Sequence, residues 1–372
     1  MTSRPTVCFL VGTLDLLAGA ERVTTVVANG LARRGWQVRI LSLCSQASQF
    51  ALHEAIQIDA LYTTRPSFKS KYAATVLAIR RYVADHGIDV LISVDTMLAL
   101  FSLPACLGLP VRQIAWEHCH FDQDLGRRSR RLARGLAARY FERVVVLTER
   151  DRARWHVGTK PARPVEAIPN PLPFDLSEPD CLPRPKTVLA VGRLTEAKGF
   201  DILLRAWKQV VAAAPGWKLR IVGEGECRAE LEHLGAQLGL HDSVSLPGAT
   251  CQIAAQYRDA GIFCLSSRYE GFGMVLIEAM AFGLPVVSTD CETGPREILR
   301  DGFNALLVPV DDSNALADRM LRLISDDSMQ KRLAQGGVVT AQGYAGHSIL
   351  ARWEDLLLAV HSTRAEVVEI MS

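Results

Sequence analysis

Short apolar runs alternate with amphipathic segments of helical spacing through the first half of the chain. The helical segments end at glycines, which terminate helices readily because they tolerate the left-handed conformation. Strands separated by helices pair in parallel through right-handed crossovers, so the pattern predicts a doubly wound sheet. The predicted strands are Thr6–Val11, Trp36–Leu43, Val90–Val94, Val111–Trp116 and Val144–Leu147, the last closing the series. The predicted helices are Glu21–Arg34, Tyr72–His86 and Met97–Leu107.

A proline-rich passage from Pro161 to Pro185 interrupts this alternation. Because prolines this dense exclude regular helix, we place the crossing between two domains here. The alternation then restarts, and a chain of 372 residues suits two such domains. The strands predicted for the second half are Thr187–Val191, Lys218–Val222, Ser243–Leu246, Gly261–Leu265, Pro285–Ser288 and Ala305–Val308.

The predicted architecture is therefore α/β, with two Rossmann-like domains of parallel sheet that face each other across a cleft. We assign residues 1–168 to the first domain and 169–345 to the second. A helix over Ser348–Val360, within residues 346–372, is expected to pack back on the first domain. Ligands of open α/β sheets bind beyond the carboxyl ends of the strands, so the chemistry is expected there on both sides.

Charge and cysteine use narrow the cellular setting. Residues 1–170 hold 23 Lys and Arg against 14 Asp and Glu, so the first half is basic and is expected to face something anionic. The nine cysteines are widely scattered and odd in number, which argues against a disulfide framework and for a reducing compartment. No signal-peptide pattern opens the chain. The apolar stretch Val90–Val111 contains Asp95, Pro104 and Pro110, which favour a buried strand and helix over a membrane span.

The strongest chemical signal is the segment "EGFGMVLIEAMAFGLPVV", which begins at Glu270 and contains Glu278. It follows a predicted strand and runs through a glycine turn into a helix, whose free N–H groups and positive dipole suit a phosphate. Gly271 and Gly273 permit close backbone approach. Glu278, about one turn into the helix, is placed to accept hydrogen bonds from a ribose diol. The alternative is that the two glutamates and their apolar neighbours merely build the core.

A second signal is the loop after the first strand of the second domain, which contains Arg193 and Lys198. A diphosphate leaving group gains charge as its bond to the sugar breaks, and fixed cations stabilise that transition state more than the ground state. The alternative is a solvated loop with an ordinary ion pair to Glu196.

Several segments of the chain resemble those of glycosyltransferase family 4, whose members are retaining enzymes of the GT-B fold. The resemblance is carried by "GRLTEAKGFDILLRAW", "EGFGMVLIEAMAFGLPVV" and "TGPREILRDGFNALLVP", and more weakly by "LLAGAERVTTVVANGLARRG" and "WEHCHF". Within the family the chain is most similar to transferases of bacterial exopolysaccharide, O-antigen and lipid-linked oligosaccharide synthesis. This implies an α-linked product made from an α-linked UDP-sugar, with no essential metal and no cofactor beyond the nucleotide sugar as co-substrate.

The resemblance also implies roles for individual residues. Arg193 and Lys198 are expected to hold the donor diphosphate, and Glu278 the ribose. Glu270 is expected to contact the transferred sugar, and His118 to contact it near the reacting carbon. For His118, a core histidine hydrogen-bonded to Glu117 is the alternative.

Further donor contacts are implied in three loops. Gly19 is expected near the donor phosphate, although the family's paired glycines appear here as Ala18-Gly19. The base-binding loop is expected around Glu224, between two glycines, and around Pro247. The amides expected to assist the diphosphate are those of Phe272, Gly273, Met274 and Val275.

Retention is expected to proceed through front-face departure of the nucleoside diphosphate, whose oxygen takes the proton of the acceptor. Other chemistries find weaker support in the sequence. Asp122-Gln123-Asp124 has the Asp-x-Asp pattern of a metal site, but it falls in a loop of the first domain, where short acidic pairs are common by chance. Gly223-Glu224-Gly225 begins like a dinucleotide fingerprint but lacks its third glycine or alanine.

The segment Arg127–Arg143 holds seven arginines against one glutamate. Leu125, Leu132, Leu136 and Tyr140 recur at helical spacing, which predicts an amphipathic helix with arginines on its other sides. We predict contact with an anionic membrane surface, and the alternative is a solvated helix with its leucine stripe in the core. The sequence lacks the basic stretches with interspersed aromatic residues that are typical of nucleic-acid binding, so we do not expect a nucleic-acid partner.

These observations lead to one functional hypothesis and two rivals. The first is a glycosyltransferase that uses a UDP-sugar and a polyprenyl-diphosphate-linked glycan or similar acceptor, in the cytoplasm and peripheral at the inner face of the membrane. The rivals are a sugar-nucleotide epimerase or hydrolase on the same fold, which turns over the donor without an acceptor, and a non-catalytic nucleotide-sugar-binding protein.

Overall fold

The computed structural model describes residues 4–371 except 17, 68, 125, 175–183 and 293, and it describes side chains as far as residue 362. The chain divides into two compact units. Unit 1 comprises Met1–Pro173 with Gly346–Ser372, and unit 2 comprises Phe174–Ala345. The chain leaves unit 1 a few residues beyond the predicted boundary and returns to it at Gly346.

Unit 1 is built on a parallel sheet with helices on both faces. Its described strands are β1 (Thr6–Val11), β2 (Gln37–Cys44), β3 (Gln57–Tyr62), β4 (Val90–Val94), β5 (Arg112–Trp116), β6 (Arg143–Val146) and β7 (Val165–Ala167). They lie in the order β3-β2-β1-β4-β5-β6-β7. Its helices before the crossing are α1 (Gly19–Arg33), α2 (Tyr72–Asp85), α3 (Ala99–Cys106), α4 (Arg128–Tyr140) and α5 (Glu149–Thr159).

Burial follows position in this sheet. The central strand β4 is buried along its whole length, whereas the edge strand β3 is only half-buried. The sheet therefore has apolar side chains packed on both faces, as a parallel sheet covered by crossover helices requires. Leu91 and Ile79 belong to one cluster of this core, and Trp155 and Phe141 belong to another.

Two strands of unit 1 were not predicted. β3 reads QIDALY, with polar residues among the apolar ones, because an edge strand needs less apolar surface than a central one. β7 has three residues and lies inside the proline-rich passage. The prediction that Val144–Leu147 closes the series is therefore wrong. The stretch predicted as Val90–Val94 followed by a helix forms β4 and α3, joined by a short 3₁₀ turn at Thr96–Leu98.

Unit 2 contains a second parallel sheet, with its described strands in the order β10-β9-β8-β11-β12-β13. These are β8 (Thr187–Val191), β9 (Lys218–Val222), β10 (Val244–Gly248), β11 (Ile262–Leu265), β12 (Val286–Thr289) and β13 (Leu306–Val308). Its described helices are α6 (Phe200–Ala213), α7 (Arg228–Gln237), α8 (Ile253–Arg258), α9 (Met274–Ala281), α10 (Pro295–Ile298), α11 (Ser313–Ser325) and α12 (Asp327–Gln342). Trp207 of α6 is fully buried in its core and donates to Ser243 Oγ over 3.2 Å.

The C-terminal helix α13 (Gly346–Met371) belongs to unit 1. A Cβ at Gly30 of α1 would overlap the side chain of Leu350, so the two helices pack closely there. Glu354 of α13 pairs with Arg34 (2.6 Å) and accepts from the indole of Trp36 (2.8 Å). Among the residues that the structure describes, no helix combines the length and apolar character needed to cross a bilayer.

The strand order of each sheet reverses at one point. In unit 1 the chain builds outward from β1 on one side and resumes at β4 on the other, and in unit 2 the same happens at β8 and β11. Ligands of open α/β sheets bind outside the carboxyl ends of the strands at such switch points. The loops after β1 and β4, and those after β8 and β11, are therefore the first places to look for a site.

Candidate functional site

Two loops of unit 2 meet at its switch point. Lys198, in the loop after β8, and Glu270, in the loop after β11, form an ion pair with 2.7 Å between Nζ and Oε1. Glu270 is nearly buried, and the same Oε1 accepts from Ser267 Oγ over 2.6 Å. Ser266 Oγ donates to the carbonyl of Lys198 over 2.9 Å. Residues 72 positions apart in the chain are thus fixed side by side.

Backbone geometry makes this approach possible. Gly199 has φ +60, and a Cβ there would overlap the carbonyl oxygen of Ser266, so only glycine lets the two loops come this close. On the other side, the carbonyl of Ser267 accepts from Thr289 Oγ1 (2.6 Å) and Cys291 Sγ (2.8 Å). The loop that holds Glu270 is therefore anchored to both neighbouring strands.

The start of α9 follows directly. Gly273 caps the helix with φ +88, and Phe272 is buried with its ring 5.6 Å from that of Tyr344. A Cβ at Gly294 would overlap the backbone of Phe272, which shows how tightly this turn is held. The amides of Gly273, Met274 and Val275 lie in the first turn, where helix N–H groups lack intrahelical partners. The helix start therefore offers an anion several backbone donors, in the segment that directly follows Glu270.

Glu278 lies one turn further along α9, and only 3% of its surface is exposed. Its Oε2 accepts from the hydroxyl of Tyr257 over 2.8 Å, and the Tyr257 ring stacks on Phe282. The hydrogen bond from Tyr257 orients this carboxylate on the buried side of α9.

The predicted base-binding loops converge at the carboxyl ends of β8, β9 and β10. Leu194 N donates to the carbonyl of Glu224 (2.9 Å), and Gly223 N donates to that of Gly248 (3.0 Å). A Cβ at Gly223 would overlap the carbonyl of Gly192, so the glycines here serve loop packing. Hydrogen bonds from Arg228 lower the pKa of the Glu224 carboxyl. Pro247 lies exposed within β10.

Arg193 stands apart from the Lys198–Glu270 pair. Its side chain is 74% exposed, and its nearest charged contact is Glu226, 3.3 Å away. The ion pair with Glu196 considered as an alternative does not form; the carboxylate partner of Arg193 is Glu226 instead. An exposed arginine with a weak surface partner is free to turn toward an incoming anion.

Gly19 and His118 lie in unit 1, at the carboxyl edge of its sheet. Gly19 is the exposed first residue of α1, and a Cβ there would meet nothing within 4 Å. His118 follows β5, with its ring centroid 4.5 Å from that of Trp116. The Nε2 atom of His118 is buried, and no described residue hydrogen-bonds to it. The alternative in which Glu117 bonds to this histidine is wrong, because both Glu117 oxygens are engaged by other donors.

Burial lowers the pKa of His118 to about 4, despite the opposing charge of Asp95. The imidazole is therefore neutral at neutral pH. The unfolded chain binds this proton at its ordinary pKa of 6.5, so the unfolding free energy should fall as the pH drops from 6.5 toward 4, by up to about 1.4 kcal/mol per pH unit. Denaturant titrations should show a shallower fall for His118→Gln. The exposed His233→Gln variant should keep the wild-type slope, and equal slopes for all three proteins would contradict the buried neutral state.

The arginine-rich segment forms the predicted helix, and the alternative in which its leucine stripe lies in the core is wrong. In α4 the buried residues include Arg130 and Arg134, whereas Leu132 and Tyr140 are 59% and 61% exposed. Leu132 and Tyr140 therefore face away from the core, Leu136 is half-buried, and two of the arginines face into the core. Arg143 pairs with Glu166 over 3.0 Å. Leu125 lies outside the described residues.

The Asp-x-Asp pattern is accounted for by local ion pairs. Asp122 pairs with Arg154, and Asp124 pairs with Arg131. Among the described residues there is no cluster of three acidic, histidine or cysteine side chains with the geometry of a metal site.

Several residues that shape these sites carry no motif signal of their own. Tyr257 orients Glu278, and Ser267 orients Glu270. Asp95 follows the buried strand β4 and has φ +86, a strained value for a residue other than glycine. Its position at a strand end is the one sequence signal that marks it.

Two family models together match most of the chain. The family model for Glycosyltransferase Family 4 matches residues 17–176, and that for Glycosyl transferases group 1 matches residues 179–338. An uncharacterized glycosyltransferase of Haemophilus influenzae is 31% identical over 349 residues, covering 94% of this chain and 99% of the relative. A Campylobacter jejuni relative, 26% identical over 95% of this chain and 98% of its own, is an α-1,4-N-acetyl-D-galactosaminyltransferase whose named substrate is a glycan on undecaprenol diphosphate.

Among solved structures, Anabaena Alr3699/HepE in complex with UDP and glucose superposes with a TM-score of 0.80 at 19% identity, covering 95% of this chain and 99% of that one. Identity this low establishes the fold alone. The superposition shows the GT-B fold, and the family models together with the Haemophilus relative show that this chain belongs to the family 4 glycosyltransferases.

Proposed function

We propose that the protein is a retaining glycosyltransferase that moves a hexose or N-acetylhexosamine from a UDP-sugar to a polyprenyl-diphosphate-linked glycan. The pathway would be bacterial polysaccharide or lipid-linked oligosaccharide synthesis. The observation that carries the proposal is the pairing of Lys198 with Glu270 at the switch point of unit 2, in the loop that leads into α9. The UDP bound to the Anabaena protein and the lipid-linked substrate of the Campylobacter relative support the choice of donor and acceptor.

In this proposal unit 2 binds the donor. The diphosphate takes the Lys198 ammonium and the amides of Gly273–Val275, and Arg193 swings in from solvent to join them. Glu278, oriented by Tyr257, accepts from the ribose hydroxyls. When the diphosphate draws Lys198 toward itself, the Glu270 carboxylate turns to the sugar hydroxyls while Ser267 holds it in place.

The transfer step exchanges one bond at the anomeric carbon for another. The bond from that carbon to the diphosphate oxygen breaks, and the acceptor oxygen attacks from the same face. The proton of the acceptor hydroxyl passes to the departing diphosphate. Lys198 stabilises the charge that grows on the leaving group, and Glu270 stabilises the cationic sugar. His118, neutral at physiological pH, contacts the sugar near the reacting carbon without adding positive charge there.

A lipid-linked acceptor requires the enzyme to work at the cytoplasmic face of a membrane. The exposed side of α4 combines Arg128, Arg131 and Arg139 with the apolar side chains of Leu132 and Tyr140. Arginines among exposed apolar residues suit the boundary between anionic headgroups and acyl chains. We propose that this side of α4, rather than every arginine of the segment, contacts anionic lipid.

Replacing Arg128, Arg131 and Arg139 with glutamine should reduce binding to vesicles containing anionic lipid about 100-fold, since each cation contributes roughly 1 kcal/mol at such a surface. Vesicle sedimentation measures this, and UDP binding by calorimetry should be unchanged. A matched triple variant of unit 2, Arg205, Arg322 and Arg332 to glutamine, removes the same charge and should bind vesicles normally. Equal binding by wild type and both variants would contradict a membrane contact at α4.

The function itself is tested by UDP release from a panel of UDP-sugars, with and without polyprenyl-linked glycan from bacterial membranes. We expect release from one sugar only when the acceptor is present, with label from that sugar appearing in the lipid fraction. Turnover without acceptor would instead indicate an epimerase or hydrolase. UDP-sugar binding without turnover under any acceptor would indicate a binding protein.

A further inference from the structure

Hydrogen bonds to the side chain of Glu117 fix the turn that contains His118. The side chain of Glu117 is fully buried. Its Oε1 accepts from the backbone N–H of Cys119 over 2.9 Å, which closes the turn around His118. Its Oε2 accepts from Thr96 Oγ1 over 2.5 Å, which ties the turn to the loop after β4. The turn is thus fixed on both sides of His118.

Two arginines of α4 complete this cluster. Arg130 donates to Glu117 Oε1 and Arg134 to Oε2, each over 3.2 Å. Burial raises the pKa of the Glu117 carboxyl above its ordinary value, the Asp95 carboxylate adds to the rise, and Arg134 and Arg130 oppose it. Four donors thus converge on the two oxygens of Glu117, and the arginines favour its charged form against the effect of burial.

The same arginines also hold the chain on either side. Arg134 donates to the backbone carbonyls of His120 and Gln123, each over 3.0 Å, and to that of Phe121. Arg130 pairs with Asp95 over 2.8 Å, and Asp95 is the strained residue at the switch point of unit 1. The cluster therefore joins the loops that leave β4 and β5 at the carboxyl edge of the sheet.

The ring of His118 depends on this turn for its direction. Its Nε2 atom receives no hydrogen bond from any described residue, and its close aromatic contact is with Trp116. A ring without such a bond points where its backbone aims it. A buried ion cluster adds little net stability, because desolvation offsets most of the attraction between its charges. A precise geometry of the turn that contains His118 is a functional reason for keeping a cluster that stabilises the fold so little.

We propose that Glu117, held by Arg130 and Arg134, is a positioning residue that fixes the direction of the His118 ring. The inference rests on the proposed function in one respect, namely that His118 contacts the transferred sugar. It gives the buried arginines of α4 a role separate from the membrane contact of the exposed side.

Two variants test this, one that removes charge and one that does not. Glu117→Gln removes the charge between the arginines, and Thr96→Val removes only the hydroxyl bond. We expect kcat to fall about 100-fold for Glu117→Gln, the loss typical of a displaced catalytic group, and less for Thr96→Val, with KM for the nucleotide sugar unchanged because unit 2 is intact. In a His118→Ala background neither change should reduce kcat further.

The control is Glu142→Gln, which breaks a comparable pair with Arg112 (2.8 Å) next to the start of β6. It should lower the melting temperature without the loss in kcat. Full additivity of Glu117→Gln or Thr96→Val with His118→Ala, or an equal kcat loss in the control, would overturn the proposal.

A second measurement needs no activity. In ¹H NMR the ring protons of His118, assigned by comparison with His118→Gln, should be displaced by the ring current of Trp116 in the wild type. They should move toward ordinary values in Thr96→Val and Glu117→Gln and stay in place in Glu142→Gln. If the wild type transfers no sugar, the proposed function fails while this displacement still decides the positioning. Unmoved signals in both Thr96→Val and Glu117→Gln would refute it.

Discussion

Lys198→Ala should lower kcat for sugar transfer about 10²- to 10³-fold and weaken UDP binding. Losses of that size follow removal of one fixed group aimed at charge that develops in a transition state. The expected loss is mainly in kcat, since the charge on the leaving diphosphate is greatest as the sugar bond breaks. Steady-state kinetics with the preferred UDP-sugar and calorimetric titration with UDP separate the two effects.

The ion pair between Lys198 and Glu270 suggests a double variant as a further test. The Lys198 ammonium is the cation bonded to Glu270, so its removal also leaves that nearly buried carboxylate with one fewer partner. A double variant with Glu270→Gln should therefore lose less than the product of the two single losses. Lys208→Ala, an exposed position of α6, is the matched control and should behave as wild type. Unchanged kinetics for Lys198→Ala would remove this lysine from the diphosphate site.

The fold class could be predicted because the central strands leave a strong signal. β1, β4, β8 and β9 have the predicted bounds, since strands covered on both faces must be nearly continuous in apolar residues. β3 was not predicted because an edge strand tolerates polar residues, which interrupt the apolar run. β7 was not predicted because three residues between prolines show no periodicity. Its strand conformation depends on pairing with β6.

At α4 the helix was predicted, but the burial of two of its arginines was not. Helical spacing correctly grouped Leu132 and Tyr140 on one side, but spacing alone does not tell which side faces the core. The orientation of α4 is determined by Glu117, a buried carboxylate beneath the helix that forms ion pairs with Arg130 and Arg134. A partner distant in sequence thus reversed the usual rule that apolar residues face in.

The candidate site shows the same division. Topology alone predicts that the loops after β8 and β11 meet, because the two strands are neighbours at the switch point. The pairing of Lys198 with Glu270 within that meeting, and of Tyr257 with Glu278, depends on side-chain packing. The sequence therefore identified the loops and the charged residues but not the contacts that orient them.

Gly199→Ala should reduce transfer about 100-fold and destabilise unit 2 by roughly 2–4 kcal/mol. The residue has φ +60, where a side chain is strained, and the new Cβ would overlap a backbone carbonyl that no rotamer change can move. The loop of Lys198 must then withdraw from Ser266 and Ser267, which carries the ammonium away from Glu270. A displacement of about 1 Å at reacting groups is enough for the expected loss of rate.

Gly235→Ala supplies the matched control. Gly235 lies inside α7, where an added Cβ meets nothing within 4 Å, so alanine should stabilise the helix by up to about 1 kcal/mol and leave transfer unchanged. Thermal unfolding and steady-state kinetics on the two variants separate stability from positioning, because the chemical change is the same in both. If Gly199→Ala lost stability yet kept the wild-type kcat, the close approach of the two loops would serve packing alone, and the Lys198–Glu270 contact would not set the rate of transfer.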